Sequence, residues 1–462
     1  MKSKALFSVV AFSALIAGLV ILVAHPDLTW HDQQRIGQIS FSVLAFAGIL
    51  LHRSPSVVLM STVWLWPAAG ILVVGALSAS LALHPLWAAT EYAALVASIG
   101  ISAFVFRLMR EFGDRADLVL GGILRLLLAG MVFQFHVSCV SALAHADLFF
   151  SPLSLIYGFS NERFEGQFLT LVVPLLGASL FLPTDSNLRY PRWFDMFLMV
   201  SLAGMVFVVG TRGTIAGWLT ACILFWGFKG AGRNTATRMF VVMALGFALA
   251  WLVLQTITSV TGQSIDLQLD SRFASVQVFG LSARDILWKL ALAKIVEFPW
   301  LGVGPMHFAS LGSPIAAHPH QALLQIASEW GLPVFFMITA TVAIWLFKVF
   351  AEVRSGDAKA GSDLRWALLF AVLASMVQSM VDGVLVMPYT QLWLAIVVGW
   401  CSARCLPVFQ GETTRVPGWL PLLLWGAANV LLVAVVVMSY PSLVGAPEYC
   451  GGGPRFWCNG RI

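Results

Sequence analysis

A chain of 462 residues that is 59% hydrophobic and 11% charged is no soluble protein, since soluble domains carry about 25% charged residues. The cations behind its net charge of +5 sit mainly in short loops between apolar runs, where they act as topology signals, so nucleic acid is excluded as a partner. No Walker A sequence occurs, which excludes ATP as a direct energy source.

Apolar runs of about 20 residues can cross roughly 30 Å of hydrocarbon as helix. They predict spans near 4–24, 37–52, 57–83, 87–106, 118–144, 165–183, 193–211, 213–228, 239–257, 332–348, 366–387, 391–408 and 418–440. The expected fold class is all-α: a polytopic transmembrane bundle of about 12–13 spans. The short alternating segments of a membrane β-barrel are missing. Lys2 and Lys4 precede an apolar run, Ala5 to Ala24, that is longer than the roughly 7–15 residues of a signal peptide, and no small-x-small cleavage site follows. A retained first span is expected.

With the N-terminus in the cytoplasm, alternation gives the cytoplasmic loops and span ends seventeen cations and the opposite side nine. Four of the nine, Arg272, Arg284, Lys289 and Lys294, fall in one long segment, and short loops dominate orientation. The chain therefore divides into spans over 1–257, a periplasmic segment over 258–331, spans over 332–440 and a periplasmic tail over 441–462. In the tail, Cys450 and Cys458 are spaced for a disulfide in an oxidising compartment. Cys139, Cys222, Cys401 and Cys405 read as packing residues. Trp30, Trp64, Trp66, Trp87, Trp300 and Trp330 fall near span ends, as an aromatic belt does. Inverted repeats and broken mid-membrane helices, the marks of transporters, are not evident.

Ionisable groups at such places are functional candidates. Arg212 lies in VVGTRGTIAGW, a Gly-rich hairpin between two spans, and Arg163 in SNERFEGQF, with Glu162 and Glu165 beside it. Arg125 and His136 face the bundle interior, and Asp382 at a span end is placed to orient a cation. From Arg284, the residues Ile286, Leu287, Leu290, Leu292 and Ile295 alternate with Asp285, Lys289, Lys294 and Glu297 at helical spacing, predicting an amphipathic interfacial helix. Phe298-Pro299 ends it, and Gly302-Val303-Gly304-Pro305 turns the chain. His318-Pro319-His320 follows, with His320 opening the next helix. Histidine accepts a proton near neutral pH, and arginine grips phosphate oxygens in a planar fork.

At these residues the chain resembles the bacterial O-antigen ligase and O-antigen polymerase superfamily. His320 and Gly331 reproduce a His-x10-Gly signature, RDILWKLALAKIVEFPWLGVGPMHF resembles the family's Arg–Trp–Pro–Gly-x-Gly-Pro segment, and TRGTIAGWL resembles its arginine-bearing hairpin. There are departures: Ala216 follows the hairpin with Leu219 later, Gln321 stands where Asn is common, and the thirteenth span and Cys-bearing tail are extra. The resemblance implies a GT-C-like glycosyltransferase of the bacterial inner membrane with its active site facing the periplasm. Its donor would be a glycan on undecaprenyl pyrophosphate and its acceptor a sugar hydroxyl of lipid A–core. Arg212 and Arg284 would be catalytic with His320 as base; Arg163, Arg212, Arg284, His318 and Gln321 would bind the pyrophosphate or acceptor. No cofactor is expected, and no metal, since no Asp-x-Asp occurs on the outer side. An O-antigen polymerase, a protein O-oligosaccharyltransferase and, from another class, a lipid-linked glycan transporter are the alternatives.

Overall fold

The structure is a computed structural model that describes residues 25, 27–51, 57–144, 156–179, 192–262, 284–313, 315–356, 361–407, 413–445 and 455–459. Its α-helices are α1 (Trp30–Leu51), α2 (Thr62–Ser80), α3 (Pro85–Phe112), α4 (Asp114–Ala144), α5 (Glu162–Ser179), α6 (Arg192–Val209) and α7 (Arg212–Trp226). After them come α8 (Ala231–Thr261), α9 (Arg284–Glu297), α10 (Ala322–Ser355), α11 (Ser362–Ser379), α12 (Pro388–Cys405) and α13 (Trp419–Leu443). Twelve of these correspond to predicted spans and α9 to the predicted interfacial helix; the expected span 4–24 lies outside the described residues. Among the described residues, six helices are long and apolar enough to cross a membrane: α3, α4, α6, α8, α10 and α13. The chain is a multi-pass helical membrane protein.

The other span-like helices run 15 to 22 residues, and several are shielded by neighbours. α11 packs against α5, α7, α8, α10 and α12 and buries residues around most of its circumference, from Trp366 to Gln378 and Ser379. A helix surrounded by protein needs no lipid-facing apolar surface, so it can carry polar residues such as Ser375 and Gln378. Arg125 of α4 is likewise inside the bundle, bonded to Asp195 of α6 at 2.8 and 3.2 Å.

The loops gather at two ends. At one, β1 (Val57–Ser61) pairs antiparallel with β2 (Thr413–Pro417), Arg404 reaches Asp117 at 2.7 Å, and Arg238 reaches Asp363 at 3.4 Å. The predicted span 57–83 thus begins as a strand, and only from Thr62 does it become helix. At the other end, Gln34 donates to the Gly158 carbonyl at 2.5 Å, Arg35 to the Val386 carbonyl at 2.9 Å, and the His84 amide to His307 at 2.8 Å. This is the end that holds every candidate site residue.

Three expectations change. The apolar residues of α9 do not share one face: Leu287 and Ala291 are buried, packing with Phe308 and Ala316, while Ile286 and Leu292 are exposed on the other side. Helix α9 is therefore a wedge, apolar toward the protein and toward its outer surface. Trp30 and Trp330 are buried, the latter against Tyr92, so of the six belt tryptophans these two belong to the core. Finally, α10 is broken. Gly331 sits at φ 81°, ψ 164° within it, near the site end of its long apolar segment.

Candidate active site

The break in α10 builds the floor of the site. Pro333 has no N–H to offer Glu329, and the Leu332 amide turns away to the Pro299 carbonyl at 2.8 Å. That would orphan two buried carbonyls, which proteins avoid. The loop after α9 supplies the replacements: the Val303 amide donates to Ser328 O at 2.9 Å and the Gly304 amide to Glu329 O at 3.0 Å. Gly302 (φ 68°) and Gly331 are pressed into each other's backbones, with a Cβ on Gly331 colliding with the Trp300 carbonyl and one on Gly302 with Glu329. Side chains are thus excluded at both by conformation and by space.

On this floor rides His318-Pro319-His320. The Trp288 indole of α9 donates to the Pro319 carbonyl at 3.1 Å. His318 is buried, 2% exposed, under Gly383, where a Cβ would fall 2.5 Å from its ring. Burial pushes its pKa well below the usual value, helped by His320, Arg455, Arg163 and Arg284. It is therefore neutral, and its Nδ1 accepts the His320 amide at 3.3 Å. His320 itself takes φ 53°, a left-handed conformation uncommon outside glycine and typical of functional positions. Its Nδ1 stands 3.7 Å from the Asp382 carboxylate, beyond hydrogen-bond distance, and has no hydrogen-bond partner. Gln321 caps α10, its side-chain oxygen accepting from the Leu324 amide.

The arginines meet the histidines here. Each stands at the first or second position of a helix: Arg163 on α5, Arg212 on α7, Arg284 on α9. The α6–α7 hairpin is seated on α5, where Thr214 donates to Gly166 O at 2.8 Å, and on α11, where Gln378 donates to Thr214 at 3.2 Å. Gly213 lies against Asp382, a Cβ there being 3.7 Å from its carboxylate. Desolvation lowers the Arg284 pKa, Asp382 opposes the shift, and Arg163 and Arg212 add to it, so these four charges share one field. Among the described residues, none of the three guanidinium groups has a hydrogen-bond or ion-pair partner. Half-buried cations at helix N-termini favour an anion with several oxygens. The Asp382 carboxylate that faces His320 interacts with Arg284 as well.

Sequence reasoning missed the buried charges beneath. Arg455, fully buried, bonds Glu329 at 2.5 Å and lies 3.6 Å from Glu91. Burial alone would lower its pKa, but Glu329 and Glu91 raise it above the usual value. Arg35, counted as a loop cation, is also buried, donating to Gln38, Gln391, and the Val386, Arg455 and Phe456 carbonyls. Glu329 lies nine residues past His320, a hint available in the sequence. Nothing there points to Arg455 as its partner.

Comparison with curated proteins finds no match. Residues 197–339, from α6 to the first half of α10, match the family model described as O-antigen ligase. That stretch contains Arg212, Arg284, His318, His320 and Gly331, and over it the chain is similar to the O-antigen ligases.

Proposed function

We propose that this membrane enzyme transfers O-antigen glycan from undecaprenyl pyrophosphate to a sugar hydroxyl of lipid A–core, at the periplasmic face of the inner membrane. The observation that carries the reading is the gathering of three arginines, unpaired among the described residues, beside one histidine–carboxylate pair. Glycosyl transfer needs a stabilised leaving group, and Arg212 and Arg284, with Arg163, are placed to hold a pyrophosphate and to neutralise the charge that grows on it as the glycosidic bond breaks. His320 takes the acceptor proton through Nε2, with Asp382 stabilising the imidazolium from the Nδ1 side. One direct displacement inverts the anomeric centre, following the geometry of inverting hydrolases. Cleavage of the pyrophosphate linkage supplies the driving force, so the step needs no ATP. The burial of His318 makes it a support for His320 rather than a substrate contact, and Gln321 borders the acceptor side.

Purified protein in detergent, given lipid-linked glycan and either lipid A–core or a second lipid-linked repeat unit, tests this. The proposal expects glycan on lipid A–core. Product only on the lipid-linked acceptor makes the chain a polymerase, and no product with either in the absence of a sealed membrane returns the transporter reading.

A further inference from the structure

We propose that the segment Arg455–Asn459 is a positioning strap for this site: Arg455 holds the Glu329 carboxylate and, through it, the backbone that carries His320. The proposal rests on His320 being the acting base. The strap is anchored at both ends of its described length. Cys458 is disulfide-bonded (Cys450 lies outside the described residues), and its amide donates to Asp32 at 2.7 Å. Arg35 donates to the Phe456 carbonyl at 3.1 Å and to the Arg455 carbonyl at 3.2 Å, and His31 Nε2 lies 3.3 Å from Phe456 O. Phe456 and Trp457 are buried to 0% and 1% exposure, so the segment fills the fold rather than lying on it.

From this anchor Arg455 reaches across to α10. The residue it holds, Glu329, makes two contacts with the loop after α9. Glu329 Oε1 accepts from the Phe308 amide at 3.0 Å, and the backbone carbonyl of the same residue accepts from Gly304. Phe308 packs with Leu287 and Ala316, and Trp288, next to Leu287, holds Pro319. A continuous path of contacts therefore runs from Arg455 to the residue before His320. The Arg455 charge also disfavours protonation of His318, keeping Nδ1 free to accept the His320 amide. Apolar residues fill buried space as well as an ion pair does. An ion pair that fixes the position of a loop amide is what alignment of a base requires.

The test uses the full-length protein in detergent with Arg455→Met, Arg455→Lys, Glu329→Gln and the double variant Arg455→Met/Glu329→Gln. The double variant removes the fully buried charge pair and leaves the partly exposed Glu91 with Arg35 as its remaining cation, so it is the one expected to fold, with a Tm within ~5 °C of wild type. Amide exchange over residues 303–308 should rise about tenfold as local opening becomes easier. The kcat should fall roughly 10²-fold, as a displaced base does, with KM for the lipid-linked donor nearly unchanged and Arg455→Lys recovering part of the loss. Wild-type exchange and wild-type kcat in the double variant would overturn the strap. Loss of activity only in proportion to loss of folded protein would overturn it equally. If the wild type transfers no glycan, it is the functional reading that fails, and the exchange measurement still decides whether the strap holds the loop.

Discussion

His320 concentrates three costs in one residue. Its left-handed backbone is worth about 1–3 kcal/mol of strain, its Nδ1 is buried without a hydrogen-bond partner, and it faces a carboxylate 3.7 Å away. The neutral His318 beneath it carries a pH signature. Its pKa is lowered in the fold, so the native state binds fewer protons than the unfolded one below the ordinary value of ~6.5. Its contribution to stability is present above that pH and lost as the pH falls through it. Thermal unfolding in detergent should therefore move to lower temperature between pH 7 and 5, and His318→Asn should flatten that dependence. The arginines predict a different pattern. Replacing Arg212 or Arg284 with alanine should lower kcat by about 10²–10³-fold. Arg284→Lys should recover only part of that, since an ammonium cannot make a planar two-pronged contact with phosphate.

Among the elements, α10 shows how a signature residue earns its place. Gly331 lets the helix break, and the break exposes two carbonyls that dock the Gly302–Gly304 loop. Gly331→Ala combines a positive φ with a collision against the Trp300 backbone and should cost roughly 3 kcal/mol or more, read as a lower thermal midpoint and faster exchange at Val303 and Gly304. The described spans and the Gly-x-Gly turn were legible because hydropathy and proline–glycine punctuation are local. The faces of α9 were not, because which of its apolar residues turn inward depends on Phe308 and Ala316. Arg163, Arg212, Arg284 and His320 stood out as costly polar groups in an apolar chain. The pairing of Arg455 with Glu329 spans 126 residues, and no local pattern reports it.

At the scale of the whole molecule, the two ends differ in character. One carries the small sheet and the Arg404–Asp117 and Arg238–Asp363 pairs, and the other buries whole charges to shape a site. Breaking one partner of such a pair is expensive: Arg455→Met strands the fully buried Glu329 carboxylate and should cost about 3–5 kcal/mol. Thermal unfolding should show the single variant well below the double variant Arg455→Met/Glu329→Gln. The measurement that bears most directly on the site is single-turnover glycan transfer, in detergent, by wild type and His320→Ala at saturating donor. The expected result is a rate lower by roughly 10²–10⁴-fold for the variant, with its fold and donor binding retained. A His320→Ala protein that transfers glycan at the wild-type rate would contradict the account.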